Sequence, residues 1–194
     1  MKRRLVISFI PAFEIGVWNA WILMSSFILQ MLAVLLLGRG VWARSSLPSG
    51  FKRSKLEKFT PIIGNSVWFL ATIYSIFLPL QMGTLWFYIG LPIFLVGLVI
   101  STVATANFAT APAEKPATKG VYYFSRHPLY LSMIVIYIGA GIASASWVFI
   151  LLGIANILWI RTEAVIEERY CLERYNKDYA EYMNTTPRWI GIPK

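Results

Sequence analysis

Apolar residues occupy this chain in four long blocks, and the length of each block limits what it can form. Glu14–Leu37, Pro61–Leu80 and Leu85–Phe108 each approach the roughly 20 apolar residues that one helix needs to cross a hydrocarbon core. The fourth block, Leu129–Ile160, is longer. As one straight helix it would extend about 48 Å, against a core of about 30 Å. Its middle, Gly139 to Ser146, is built mainly from small residues that permit a tight reversal and close helix contact. The block therefore predicts a helical hairpin. The fold expected is all-α: an integral membrane bundle of about five transmembrane helices, the last two forming the hairpin.

Between the blocks lie polar segments with turn chemistry. Arg39–Thr60 holds six basic residues against one acid, Glu57, and contains Pro48-Ser49-Gly50. Gln81–Thr84 is a tight turn. Ala109–Ser125, with Pro112, Pro116 and Gly120, reads as a loop. Met1-Lys2-Arg3-Arg4 followed by Leu5–Phe13 looks like the start of a signal peptide, but without a small-residue cleavage site it is expected to be retained. Beyond Ile160 the pattern turns amphipathic. At 100° per residue Val165, Leu172, Tyr175, Tyr179 and Tyr182 share one face, and Glu168 falls inside it, where it needs a partner. This C-terminal helix is expected to stop before Thr185-Thr186-Pro187.

Composition supports the bilayer. The 194 residues are 57% hydrophobic and 14% charged, against about 25% charged in soluble domains, and mean hydropathy is +0.60. The chain suits a single integral membrane domain: 1–112 without motif, 113–194 carrying the chemistry. The net charge of +9 sits entirely in the first 160 residues, because the sequence after Ile160 balances six basic residues with six acids. Counting spans puts the 39–60 loop, the 110–127 loop and the C-terminal tail on one side, which the Lys and Arg excess makes cytoplasmic. Lys2-Arg3-Arg4 falls on the other side and opposes this assignment. One cysteine and one histidine leave no internal disulfide and no expected metal site. No basic patch interleaved with aromatics points to nucleic acid. The partners expected are membrane lipids.

Two polar clusters stand at the ends of the hairpin. At Arg126-His127-Pro128 the proline suits a first helical position, and the amides from Leu129 onward would be free to attract an anion. The same residues also suit a plain membrane-helix start with an interfacial arginine. Glu167-Glu168 could accept from hydroxyls or an amine, or could simply be solvated or pair with Arg161, Arg174 or Lys177. If the hairpin brings the two clusters together, they form one site.

In order and spacing, Gly120-x-Tyr122, Arg126-His127-Pro128-x-Tyr130, the apolar hairpin, Glu167-Glu168-x-x-x-Leu172, Tyr179-x-x-Tyr182 and Pro187 resemble the isoprenylcysteine carboxyl methyltransferases and the wider group with the phospholipid N-methyltransferases. The resemblance covers roughly 113–194. It departs at Asn176, where the family commonly has glycine. It implies an integral membrane methyltransferase that uses S-adenosylmethionine, releases S-adenosylhomocysteine, needs no metal and acts on a lipophilic or prenylated acceptor. It further implies a cofactor pocket from Gly120, Val121, Tyr122, His127, Pro128, Leu129, Tyr130, Glu163 and Glu167. Arg161, Glu168 and Arg188 would lie on the catalytic, acceptor side. A carboxylate acceptor is already ionised and needs no general base. A phospholipid amine must be neutral, which would give Glu168 work as a base. A membrane sterol reductase and a small channel or scaffold are the remaining alternatives.

Overall fold

The computed structural model describes residues 13–36, 47–48 and 50–194; the Lys2-Arg3-Arg4 cluster, Leu5–Ala12, Gly38-Arg39-Gly40 and Ser49 lie outside them. Among the described residues six α-helices run in order: α1 (Trp21–Leu36), α2 (Thr60–Ile76), α3 (Leu85–Thr110), α4 (Pro128–Ala143), α5 (Trp147–Tyr175) and α6 (Lys177–Thr185), with a short 3-10 turn at Gly120–Tyr123. No strand is formed among the described residues; a lone bridge joins Asn19 and Pro79. The architecture is all-helical, and α3 and α5 are long and apolar enough to cross a membrane.

The first two apolar blocks are only partly helical. Residues 14–20, expected in the first span, are non-helical and lie along 76–80. Asn19 Nδ2 donates to Glu14 O (2.6 Å) and Ile76 O (2.7 Å), Ala20 N to Leu78 O and Leu80 N to Trp18 O. α2 accordingly stops at Ile76, before Pro79. α3 continues through Pro92 to Thr110.

The hairpin is present, with a tighter turn than expected. α4 runs on through Gly139 and Gly141, and only Ser144–Ser146 reverse the chain, with Ala145 at a φ of 50°. The reversal is secured by Ser146, whose hydroxyl accepts from Phe149 N (3.2 Å) to cap α5. The glycines serve the close helix contact expected of them. A Cβ at Gly139 would stand 2.3 Å from Phe94 N, and one at Gly90 2.1 Å from Ala143 N, so the α3 and α4 backbones meet directly. Ile136, Tyr137 and Ala140 of α4 sit fully buried between Phe94 of α3 and Phe149 of α5.

α5 does not break at Ile160. It carries its ladder into the polar sequence and ends at Tyr175, so the second hairpin arm and the first part of the expected C-terminal helix are one rod. Asn176 then turns the chain at a φ of 49° and starts α6 as a separate helix. The predicted single apolar face fails for this reason: Val165 and Leu172 are exposed, whereas Tyr179 and Tyr182 are buried by the new direction of α6.

The three polar segments meet at one end of the bundle. Phe51 packs edge-on against Tyr170, and Arg53 pairs with Glu163 (3.4 Å). Arg169 pairs with Glu57 (2.9 Å), Arg174 donates to Ala113 O, and Arg126 N donates to Pro187 O. At the opposite end Gln81 N donates to Ala143 O, and the Tyr74 hydroxyl lies 3.3 Å from that of Ser146.

Candidate active site

The loop before α4 is shaped by contacts from three elements. Gly120 adopts a φ of 65°, and a Cβ there would fall 2.0 Å from Asn107 Oδ1 of α3. That same oxygen accepts from Val121 N (3.1 Å) and fixes the 3-10 turn. Tyr182 of α6 donates to Tyr122 O (2.6 Å). Burial holds the phenols of Tyr179 and Tyr182 well above their ordinary pKa, so both remain neutral donors. Ser125 Oγ accepts from His127 N (3.1 Å) and lies 3.3 Å from Arg188 O. The chain then enters α4 at Pro128, where the missing N–H costs nothing.

At this entry the two ends of the hairpin touch. His127 Nε2 lies 3.2 Å from Glu168 Oε1, and its Nδ1 lies 3.5 Å from Glu167 Oε2. Glu167 also accepts from the Tyr130 hydroxyl (2.6 Å), and the His127 and Tyr130 rings stack. Glu168 is buried, 3% exposed, and its two oxygens serve three cations. Arg188 grips it through Nε (3.0 Å) and Nη2 (2.6 Å), and Arg126 Nη1 stands 3.2 Å away. Burial of His127 disfavours its charged form, but hydrogen bonds and charge from Glu167 and Glu168 outweigh this and raise the imidazole pKa.

A cavity of about 200 Å³ opens beside this cluster, more than ten times the roughly 15 Å³ that admits one water. Its walls include Arg126, His127 and Pro128 from the entry to α4 and Glu167 and Cys171 from α5, with Tyr179 from α6 closing the far side. The first amides of α4 have no intrahelical acceptor and form a positive pole. Arg126 strengthens it. Its side chain is nine-tenths buried, and Nε and Nη1 make no hydrogen bond among the described residues. Glu167, 38% exposed, brings negative charge to the same lining.

Residues 85–178 match the phospholipid methyltransferase family, from the start of α3 into α6. Over that region the chain is similar to the isoprenylcysteine/phospholipid methyltransferase-like family. Among curated proteins, none matches the chain. The match suggests a membrane methyltransferase, a class that generally uses S-adenosylmethionine. The match starts earlier than the motifs do, at Leu85, and ends at Asp178, short of Tyr182 and Arg188.

Of the expected pocket residues, Tyr122, His127, Pro128, Leu129, Tyr130 and Glu167 line the cavity. Gly120 and Val121 stand behind it and shape the loop through Asn107. Glu163 lies elsewhere. It is buried against Arg53 and accepts from the Thr60 hydroxyl, fastening the 50–60 loop to α5. Arg161 is exposed on α5 outside the lining, and Glu168 and Arg188 bind each other behind the cavity wall. The cavity also uses Phe108, Lys115, Tyr170, Cys171 and Tyr175. No motif flags these; the concentration of tyrosines after Arg169 was the available signal.

Proposed function

We propose that this protein is an S-adenosylmethionine-dependent methyltransferase whose cofactor occupies the cavity at the start of α4 and whose acceptor is lipid-like, the carboxylate of an isoprenylcysteine-type group. The observation that carries the reading is the presence of both signs of charge, buried Arg126 and partly exposed Glu167, in the lining of one cavity. The α4 amides and buried Arg126, whose Nε makes no hydrogen bond among the described residues, suit a carboxylate, and Glu167 in the same lining suits an amine or a ribose hydroxyl. When bound, the cofactor supplies a methyl group already activated on a sulfonium. The residues then have three tasks. Arg126 and the amides hold the negative end, Glu167 the polar end, and the tyrosine-rich wall excludes water around the reacting centre. A carboxylate acceptor favours this site because it requires no base, and Glu168, surrounded by Arg126, His127 and Arg188, is poorly placed to act as one. Glu168 and Arg188 are read as positioning residues for His127 and Arg126.

The same reading makes the end of the bundle that gathers the three polar segments cytoplasmic, with α1 to α5 in the bilayer. The family description of the match favours one second reading, methylation of a phospholipid amine, for which Glu167 is the carboxylate facing the cavity.

Calorimetry on the reconstituted protein tests the cofactor assignment. S-adenosylmethionine and S-adenosylhomocysteine should bind stoichiometrically, and Arg126→Gln should weaken both by roughly 10- to 150-fold, the loss of a charge-assisted hydrogen bond. No binding to the folded protein would remove the reading. Mass spectrometry of the labelled product formed from native lipids then separates a methyl ester from a methylated amine.

A further inference from the structure

The loop that leads into α2 presents an amphipathic surface apart from the cavity. Its one acid, Glu57, is taken by Arg169 (2.9 Å), and Arg53 is taken by Glu163 (3.4 Å). Lys52, Lys55 and Lys58 remain exposed, and among the described residues no carboxylate pairs with any of them. Between and beside them Leu56 is 82% exposed and Phe59 58% exposed. Backbone bonds from Lys58 N to Ser54 O and from Phe59 N to Leu56 O wind this segment into a turn, and α2 starts at the next residue. The loop's own acid is thus drawn inward while three ammonium groups and two large apolar side chains point outward. Such an arrangement suits the boundary of a bilayer, where rings and aliphatic chains enter the acyl region and ammonium groups stay at the phosphates.

We infer that residues 52–59 dock on the headgroups of anionic phospholipids in the membrane that holds the helices. Charge complementarity selects the anionic lipid. A zwitterionic headgroup offers no net charge, whereas each lysine near an acidic surface favours association roughly fivefold. Arg53 and Glu57 take no part in the contact; they fasten the loop to α5 so that the lysines face outward. The inference rests on the membrane character of the chain and not on the reaction it catalyses.

The test uses the full-length protein in phosphatidylcholine bilayers carrying a trace of spin-labelled phosphatidylglycerol or spin-labelled phosphatidylcholine. Electron spin resonance resolves the label held at the protein surface. The phosphatidylglycerol label should associate roughly fivefold or more above phosphatidylcholine, and the preference should fall with added salt. In K52Q/K55Q/K58Q most of it should vanish while thermal unfolding is unchanged, since these ammonium groups pair with no carboxylate. Should the triple variant fail to fold, each single variant should lose its own share of the preference. Three results would overturn the inference: no preference in the wild type, an undiminished preference in the variants, or displacement of the label by inorganic phosphate at matched ionic strength, which would mark a soluble-anion site.

Discussion

Glu168→Gln isolates the carboxylate on which the site converges. The substitution keeps the shape of the side chain and removes its charge, leaving Arg126, His127 and Arg188 around a buried amide. Removing one partner of a buried ion pair costs about 3–5 kcal/mol. Arg188 is 35% exposed, so water screens its share and the lower figure applies. About 3 kcal/mol in a protein of this size lowers Tm by roughly 6–12 °C. Thermal unfolding in lipid nanodiscs measures this directly. Glu167→Gln is the comparison; its more exposed carboxylate serves Tyr130 and His127, and its loss should cost about 1 kcal/mol. Because His127 is the single histidine, its imidazole resonance also titrates without ambiguity. The wild-type midpoint should lie above the ordinary value, and removing Glu168 should move it down, since a raising partner is lost and burial stays. A raised midpoint means that the stabilisation from charged His127 is complete below about pH 6.5 and is lost as pH rises through the folded-state value. Wild-type Tm should therefore decline across that window and Glu168→Gln should decline less. Equal Tm losses in the two variants, with an unmoved His127 midpoint, would refute the claim that Glu168 organises the site.

Other expectations test the framework around it. Gly120→Ala should destabilise by about 1–3 kcal/mol, because it combines a left-handed backbone with a clash against Asn107, and Tm should report it. Gly139→Ala should cost a similar amount, about 1–3 kcal/mol, by forcing α4 from Phe94. Asn176→Gly should stabilise by up to about 1 kcal/mol, since the φ of 49° suits glycine; a loss of stability would show that the asparagine side chain is needed there. Cysteines at Tyr123 and Val165, both exposed, should react with an impermeant reagent from the same side of the membrane in a Cys171→Ala background. Labelling from opposite sides would separate the two ends of the hairpin.

The helical class and the hairpin were legible because block length against bilayer thickness is a coarse constraint that packing does not alter. The turn is legible only to within residues 139–146, because small residues carry two meanings. Gly139 and Gly141 permit both reversal and close helix contact, and the fold uses them for contact: they let α4 approach Phe94 and Ile150. The continuity of α5 was hidden for a related reason. At Arg161 the environment changes from apolar to polar, but the backbone ladder is indifferent to that change. The burial of Glu168 followed from its position on the apolar side. Its partners did not, since Arg126 and Arg188 reach it only through the folded loop and C-terminal segment. Glu163 shows the limit most plainly: the resemblance implies a place for it in the cofactor pocket, and its partner Arg53 lies 110 residues away.

An unbroken α5 also makes the protein a lever. From Trp147 to Glu167 the rod extends about 30 Å, so a tilt of about 5° about its far end carries Glu167 through roughly 3 Å. Membrane helices tilt to match the thickness of the surrounding lipid. The gaps joining His127 to Glu168 and Glu167 are 3.2 and 3.5 Å, so a displacement of that size is enough to make or break them. With α5 in the bilayer, as proposed, lipid chain length would become an input to the geometry of the site, and the His127 midpoint followed across bilayers of increasing thickness would record it.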